Sequence, residues 1–215
     1  TVSSDAAICF DLFGTLVDAE RPAEPASAVA DALRDRGVAV PDDWAAAYSE
    51  PHIDAPEGAE VPLPAHVSAA LASRGVDAPN NAPRRAVVSA FDPHVDTRSG
   101  AVAAIEAAHE YGPVGLLSNC SVPELVGRTL IRSDVSREDF DAIVSSVGCG
   151  WRKPDRRAFE TVARQLGVPV DRLVYVGDTS ATDGGIEAVG GRFIDVTDTP
   201  LPKLPGRLEE VCPTR

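Results

Sequence analysis

Five short apolar runs punctuate the chain, at Ala6–Phe10, Val114–Leu117, Ala142–Val147, Leu173–Val176 and Arg192–Val196, each ending in polar or glycine-rich residues. Their length and β-branched content predict buried parallel strands. Between the later runs the hydrophobic period becomes helical. Phe159, Val162, Ala163 and Leu166 share one helix face, and Gly167 follows as a stop. Ser121 and Glu124 read as a capping box opening a helix that carries Leu125, Val126 and Leu130. Asp183 reads as the cap of a short helix holding Ile186 and Val189. Strands alternating with helices predict an α/β fold, a doubly wound, Rossmann-like parallel sheet whose ligands sit at the carboxyl ends of its strands.

The first strand breaks this rhythm. The chain between Asp11 and Val114 is far longer than one crossover needs. Within it apolar residues recur at helical spacing, as in Val29 with Leu33, Trp44 with Tyr48, Val67 with Leu71, and Val87 with Phe91. The expectation is a core of residues 1–19 and 97–215 with a small helical insertion at 20–96, in which the proline-rich Pro51–Pro64 is a loop.

Composition narrows the function classes. The chain has 215 residues, 44% apolar and 25% charged, which suits a globular protein of one domain or one with a modest insertion. No apolar run approaches the roughly 20 residues of a membrane helix, and Thr1–Asp5 carries no basic or apolar signal, so a soluble, cytoplasmic protein is expected. Thirty-three acids against 20 bases give a net charge of −13, which repels phosphate backbones and argues against nucleic-acid binding. Abundant Asp, scarce Lys and few aromatics resemble a salt-adapted, halophile-like composition. Cys9, Cys120, Cys149 and Cys212 form no CxxC pair and no zinc spacing, and are expected as reduced thiols.

Four stations then carry the candidate chemistry. Asp11 follows the first strand, with Phe13, Gly14 and Thr15 behind it and Asp18 closing the segment. Ser118 and Asn119 end the second strand. Lys153, one of only two lysines, precedes a helix with Pro154. Asp178 and Asp183 follow the fourth strand. All are expected at one edge of one sheet, and the set suits phosphoryl transfer. Asp11 and Asp178 can share Mg²⁺, a hard cation that takes oxygen ligands. Lys153 can neutralise the phosphoryl oxygens, Ser118 can donate to them, and Asp11 can attack phosphorus. Singly, each has an ordinary reading: a turn hydroxyl, a surface lysine, a helix cap, or for Asn119 a turn former.

In order and spacing these stations resemble the haloacid dehalogenase-like hydrolase superfamily across essentially the whole chain. The resemblance implies Asp11 as nucleophile, Lys153 as its catalytic partner, and Thr15, Ser118, Asn119 and Lys153 as phosphate-binding residues. It implies Mg²⁺ held by Asp11, the backbone carbonyl of Phe13, Asp178 and Asp183, a small phosphorylated molecule as substrate, and a helical cap at 20–96. Neither a nucleic-acid nor a membrane partner is implied.

One position departs from the pattern. Most phosphatases of this family carry a second Asp, the general acid and base, where this chain has Phe13. Losing such a group typically forfeits about 10²–10⁴-fold in rate. Either the leaving group needs little protonation, or another residue donates the proton; Asp18, Glu20, His52 and His66 are the candidates. An aromatic residue there is similar to the family's metal-free 2-haloacid dehalogenases, in which Asp attacks carbon, and Arg21, Arg34 and Arg36 are then candidate halide ligands. Those dehalogenases have Asn where this chain has Asp178, which favours the phosphatase. A non-catalytic binding or regulatory descendant is the third reading.

Overall fold

The computed structural model describes residues 6–212, so Thr1–Asp5, with the expectation attached to it, lies outside the described residues. In chain order the elements are β1 (Ala7–Phe10), β2 (Val17–Ala19), α1 (Pro25–Arg34), α2 (Trp44–Ser49), α3 (Leu63–Ala72) and α4 (Ala82–Ala90). There follow β3 (Val95–Thr97), α5 (Ala101–Ala108), β4 (Val114–Ser118), α6 (Leu125–Arg132), β5 (Ala142–Ser145), α7 (Ser146–Cys149) and α8 (Arg156–Leu166). The chain continues through β6 (Leu173–Gly177), α9 (Ser180–Asp183), β7 (Arg192–Asp195) and α10 (Leu204–Val211).

All five apolar runs enter one parallel sheet, ordered β5–β4–β1–β6–β7. Side chains alternate between faces along a strand. In β1, Ile8 and Phe10 therefore join the core on one face and Ala7 and Cys9 that on the other, all fully buried. Burial on both faces is why the central strands β1, β4 and β6 read as unbroken apolar runs, whereas the edge strands β5 and β7 are only partly buried. Helix α8 covers the second face with Phe159, Val162 and Leu166. Asp155 starts that helix by accepting from the Arg157 N–H at 2.9 Å, and Gly167, at φ +73°, ends it.

Between β2 and β3 the chain forms α1–α4. α1 and α3 pack on α4, and α2 on α3, burying Val29, Leu33, Trp44, Val67, Leu71 and Val87. The proline-rich segment stays free of helix and strand as far as Pro62, apart from a single antiparallel bridge between Ala59 and Trp151. β2 and β3 themselves form a small antiparallel sheet where the chain leaves and re-enters the main body.

Three local expectations need correction. β5 ends at Ser145, because Ser146–Cys149 turn into α7. Ser121 and Glu124 make no capping box: Glu124 is itself the N-cap, left-handed at φ 68°, and its carboxylate pairs with Arg84 at 2.5 Å. Asp183 precedes a 3-10 turn at Gly184–Val189 without capping it, since its side chain is engaged elsewhere. The four cysteines are free. Among the described residues no helix is long and apolar enough to cross a membrane.

Candidate active site

Asp11 is placed by the sheet, its N–H donating to the Val176 carbonyl at 2.9 Å. The chain then coils tightly, with the N–H groups of Leu16 and Val17 both donating to the Leu12 carbonyl, at 2.9 and 3.0 Å. Gly14 sits at φ +80°, and a Cβ there would run into the Asp178 carboxylate, so glycine is required both for the turn and for the approach. Thr15 Oγ1 donates to Asp178 Oδ1 at 3.4 Å. At the end of β6, Gly177 has the same steric role toward Asp183, whose Oδ2 accepts from the Thr179 N–H at 3.1 Å.

Lys153 is brought in by Asn119. The Lys153 N–H donates to Asn119 Oδ1 at 2.8 Å, and Asn119 Nδ2 donates to the Lys153 carbonyl at 2.9 Å. This two-bond splice fixes the lysine against the end of β4. Its Nζ is buried, 2.7 Å from Asp183 Oδ1, 2.6 Å from the Tyr175 hydroxyl and 3.1 Å from Asp11 Oδ1. Tyr175 in turn donates to the Leu117 carbonyl at 2.5 Å.

One ammonium thus stands among three carboxylates, since oxygens of Asp11, Asp178 and Asp183 all lie within 4.8 Å of one another. Burial pushes the Asp11 pKa up, Lys153 opposes the shift, and the Asp183 charge adds to it. Burial likewise raises the Tyr175 hydroxyl well above its usual range, with Asp11 adding to the effect. Asp11 Oδ1 lies at ion-pair distance from Lys153 but lacks hydrogen-bond geometry, so it is buried without a hydrogen bond, as is Ser118 Oγ. An all-oxygen donor set and three carboxylates against one ammonium fit a hard divalent cation.

These groups open onto a pocket of about 730 Å³ lined by Asp11, Phe13, Ser118, Asn119, Lys153 and Asp178. Thr15 and Asp183 lie fully buried behind it. Of the candidate proton donors, Asp18 and Glu20 reach the pocket. His52 and His66 do not: each ring Nε2 donates to a main-chain carbonyl, of Ala47 at 2.6 Å and of Tyr48 at 2.7 Å. Of the candidate halide ligands only Arg21 lines the pocket; Arg34 pairs with Asp31, and Arg36 donates to the Ala32 carbonyl.

Three residues carry no signal in the sequence pattern. Tyr175 sits in an apolar run and reads as core. Arg98 follows β3, donates to the Gly14 carbonyl and lies 3.3 Å from Asp18, clamping the first station from outside. Glu60 lies in the proline-rich loop, where no periodicity marks it, yet it lines the same pocket.

A family model described as haloacid dehalogenase-like hydrolase matches residues 6–190. No curated protein matches the chain. Among solved structures, it is similar to a 2-haloacid dehalogenase from Pseudomonas syringae (TM-score 0.59, 18% identity, covering 91% of this chain and 87% of that one). It is also similar to CbbY from Rhodobacter sphaeroides in complex with phosphate (0.56, 22%, 88% and 84%). A third is a haloacid dehalogenase family enzyme from Bacteroides thetaiotaomicron in complex with magnesium and inorganic phosphate (0.58, 15%, 88% and 93%). At these identities the likeness is one of fold.

Proposed function

The chain belongs to the haloacid dehalogenase-like hydrolases, and within that family we propose that it is a magnesium-dependent phosphatase acting on a small phosphorylated metabolite through an aspartyl-phosphate on Asp11. The observation that carries this reading is an aspartate at position 178 in the carboxylate cluster with Asp11, beside one buried lysine. Asp11, Asp178 and the Phe13 carbonyl would hold the cation, with Asp183 as the third carboxylate. When bound, the metal supplies positive charge against the phosphoryl oxygens.

The chain's own residues do the rest. Lys153 holds Asp11 and Asp183 in place and meets the incoming phosphoryl group with its charge. Ser118 offers an unpaired hydroxyl, and Asn119 keeps Lys153 in register. An Asp11 oxygen attacks phosphorus, the ester P–O bond breaks, and water then cleaves the acyl phosphate to restore the carboxylate. Residues 20–96 act as a cap over residues 1–19 and 97–215, enclosing substrate. The neighbours complexed with phosphate, and a CbbY variant complexed with xylulose-1,5-bisphosphate, support a phosphorylated ligand.

A second reading, 2-haloacid dehalogenase, is favoured by Phe13 and by Arg21 in the pocket. One experiment separates the two. The phosphatase hydrolyses p-nitrophenyl phosphate with Mg²⁺ and falls to background with EDTA, in Asp11→Asn, or in Asp178→Asn. Halide release from 2-chloropropionate in EDTA, with no phosphatase turnover, would establish the dehalogenase instead.

A further inference from the structure

We propose that Glu60, reaching the pocket from the proline-rich loop, is the proton donor that replaces the acid missing at Phe13; the inference rests on the phosphatase reading. Three observations support it. First, Glu60 lines the same pocket as Asp11 and Lys153 although it comes from the insertion, and its side chain is only 3% exposed. The competing acids sit at the open mouth: the Asp18 side chain is 64% exposed and tied to Arg98, and Glu20 is exposed.

Second, Glu60 is held in place from both sides. Its N–H donates to the Gly150 carbonyl at 2.9 Å, and the Arg152 N–H donates to the Gly58 carbonyl at 2.9 Å, which docks the loop against the segment leading into Lys153. The Ser146 hydroxyl donates to Glu60 Oε2 and accepts from the Cys120 N–H at 2.7 Å. Cys120 lies two residues after Ser118, so Glu60 is fastened to both loops that carry the phosphate-binding groups.

Third, the surroundings accommodate both protonation states. A serine hydroxyl is a rotor that can donate to a carboxylate or accept from a carboxylic acid. The charged and titratable groups facing Glu60 are Arg152, with Nε 3.8 Å away, and the Cys120 and Cys149 thiols; Asp11 and Arg21 act on the same Cys120 thiol. Burial holds Cys120 up to about 11 and raises Cys149, so both thiols are neutral and do not compete for the proton.

The step balances. As Asp11 attacks phosphorus and the ester P–O bond breaks, the Glu60 carboxyl gives its proton to the departing alkoxide, which leaves as an alcohol. The Glu60 carboxylate then takes a proton from the water that attacks the aspartyl-phosphate. The Asp11–phosphorus bond breaks, phosphate leaves, and both side chains return to their starting states.

The test is the dependence of kcat/KM on leaving-group pKa, measured with Mg²⁺ for wild type and Glu60→Gln over a series from p-nitrophenyl phosphate to alkyl phosphates. Glu60→Gln should lose about 10²-fold or more on alkyl esters and less than about 10-fold on p-nitrophenyl phosphate, whose phenolate needs little protonation. Adding Phe13→Asp to the variant should restore alkyl turnover. Equal losses on both esters, or none on either, overturn the inference while leaving the phosphatase reading intact. Absence of any Mg²⁺-dependent turnover in wild type overturns that reading and the inference with it. If Glu60→Gln does not fold, wild type and the exposed-acid variants Asp18→Asn and Glu20→Gln decide: a shallow slope kept in all three supports Glu60, and a steep slope in wild type, or one that steepens in either variant, overturns it.

Discussion

Lys153 brings a single positive charge to three carboxylates at a position only 2% exposed. Replacing it with Met leaves buried acids uncompensated, a change that typically costs about 3–5 kcal/mol. Lys153→Met should therefore unfold at much lower temperature near pH 7, with part of the loss recovered as pH falls and Asp11, whose pKa burial already raises, takes up a proton. Asp11 gives the matching sign. Its folded-state pKa is raised, chiefly by burial. Its contribution is then fully present below the unfolded value of about 3.9 and is lost as pH rises through the folded value. In EDTA at pH 7–8, Asp11→Asn should be more stable than wild type and unfold at a higher temperature, since it removes a carboxylate whose charged form burial disfavours. Mg²⁺ should reverse the order, because only the ionised carboxylate binds it. A calorimetric scan with and without metal checks both; an Asn variant less stable than wild type at every pH in EDTA would contradict the burial account of Asp11.

At the scale of elements, the turn after β1 combines two separable demands on Gly14, a positive φ and room for the Asp178 carboxylate. Gly37 provides the control, since it sits at φ +75° and a Cβ added there would meet nothing within 4 Å. Gly37→Ala should cost only the backbone strain of about 1–2 kcal/mol. Gly14→Ala should cost more and should abolish the Mg²⁺-dependent thermal shift, which the Gly37 variant keeps; equal behaviour of the two would mean that Asp178 has room to move. The same elements show what a sequence can reveal. The central strands β1, β4 and β6 were legible because burial on both faces writes itself as continuous apolar runs, and the edge strands β5 and β7 showed more weakly, through their buried Ala142, Val144 and Ile194. Asp11, Lys153 and Asp178 were legible because a charge directly after such a run, or in a chain with two lysines, stands out. β2 and β3 were not, since each is three residues long with one buried position, and their partnership spans the whole insertion. Glu60 was hidden for the same reason: its place depends on a long-range bridge to the Gly150–Arg152 segment, which no local pattern encodes. The capping box failed because the chain adopts a left-handed turn at Glu124, where the side chain is drawn to Arg84.

Over the whole molecule the excess of 33 acids over 20 bases sets a long-range repulsion that no single contact relieves. Its local ion pairs are short and mostly exposed, such as Arg74 with Asp43 at 2.9 Å and with Glu50 at 2.8 Å. Pairs of this kind contribute about 0–1 kcal/mol each. The screening length falls from about 10 Å at 0.1 M salt to about 3 Å at 1 M. That change removes repulsion between acids many ångströms apart while only partly weakening pairs already in contact. Stability should therefore rise with salt: Tm in EDTA should climb steadily from 0.05 to 1 M KCl. If the effect belongs to the surface charge, the climb should survive in a protein carrying Asp11→Asn and Asp178→Asn, in which the proposed cation site is dismantled. A rise confined to wild type would instead assign the salt effect to the carboxylate cluster, and a flat or falling Tm would show that the contact pairs outweigh the net charge.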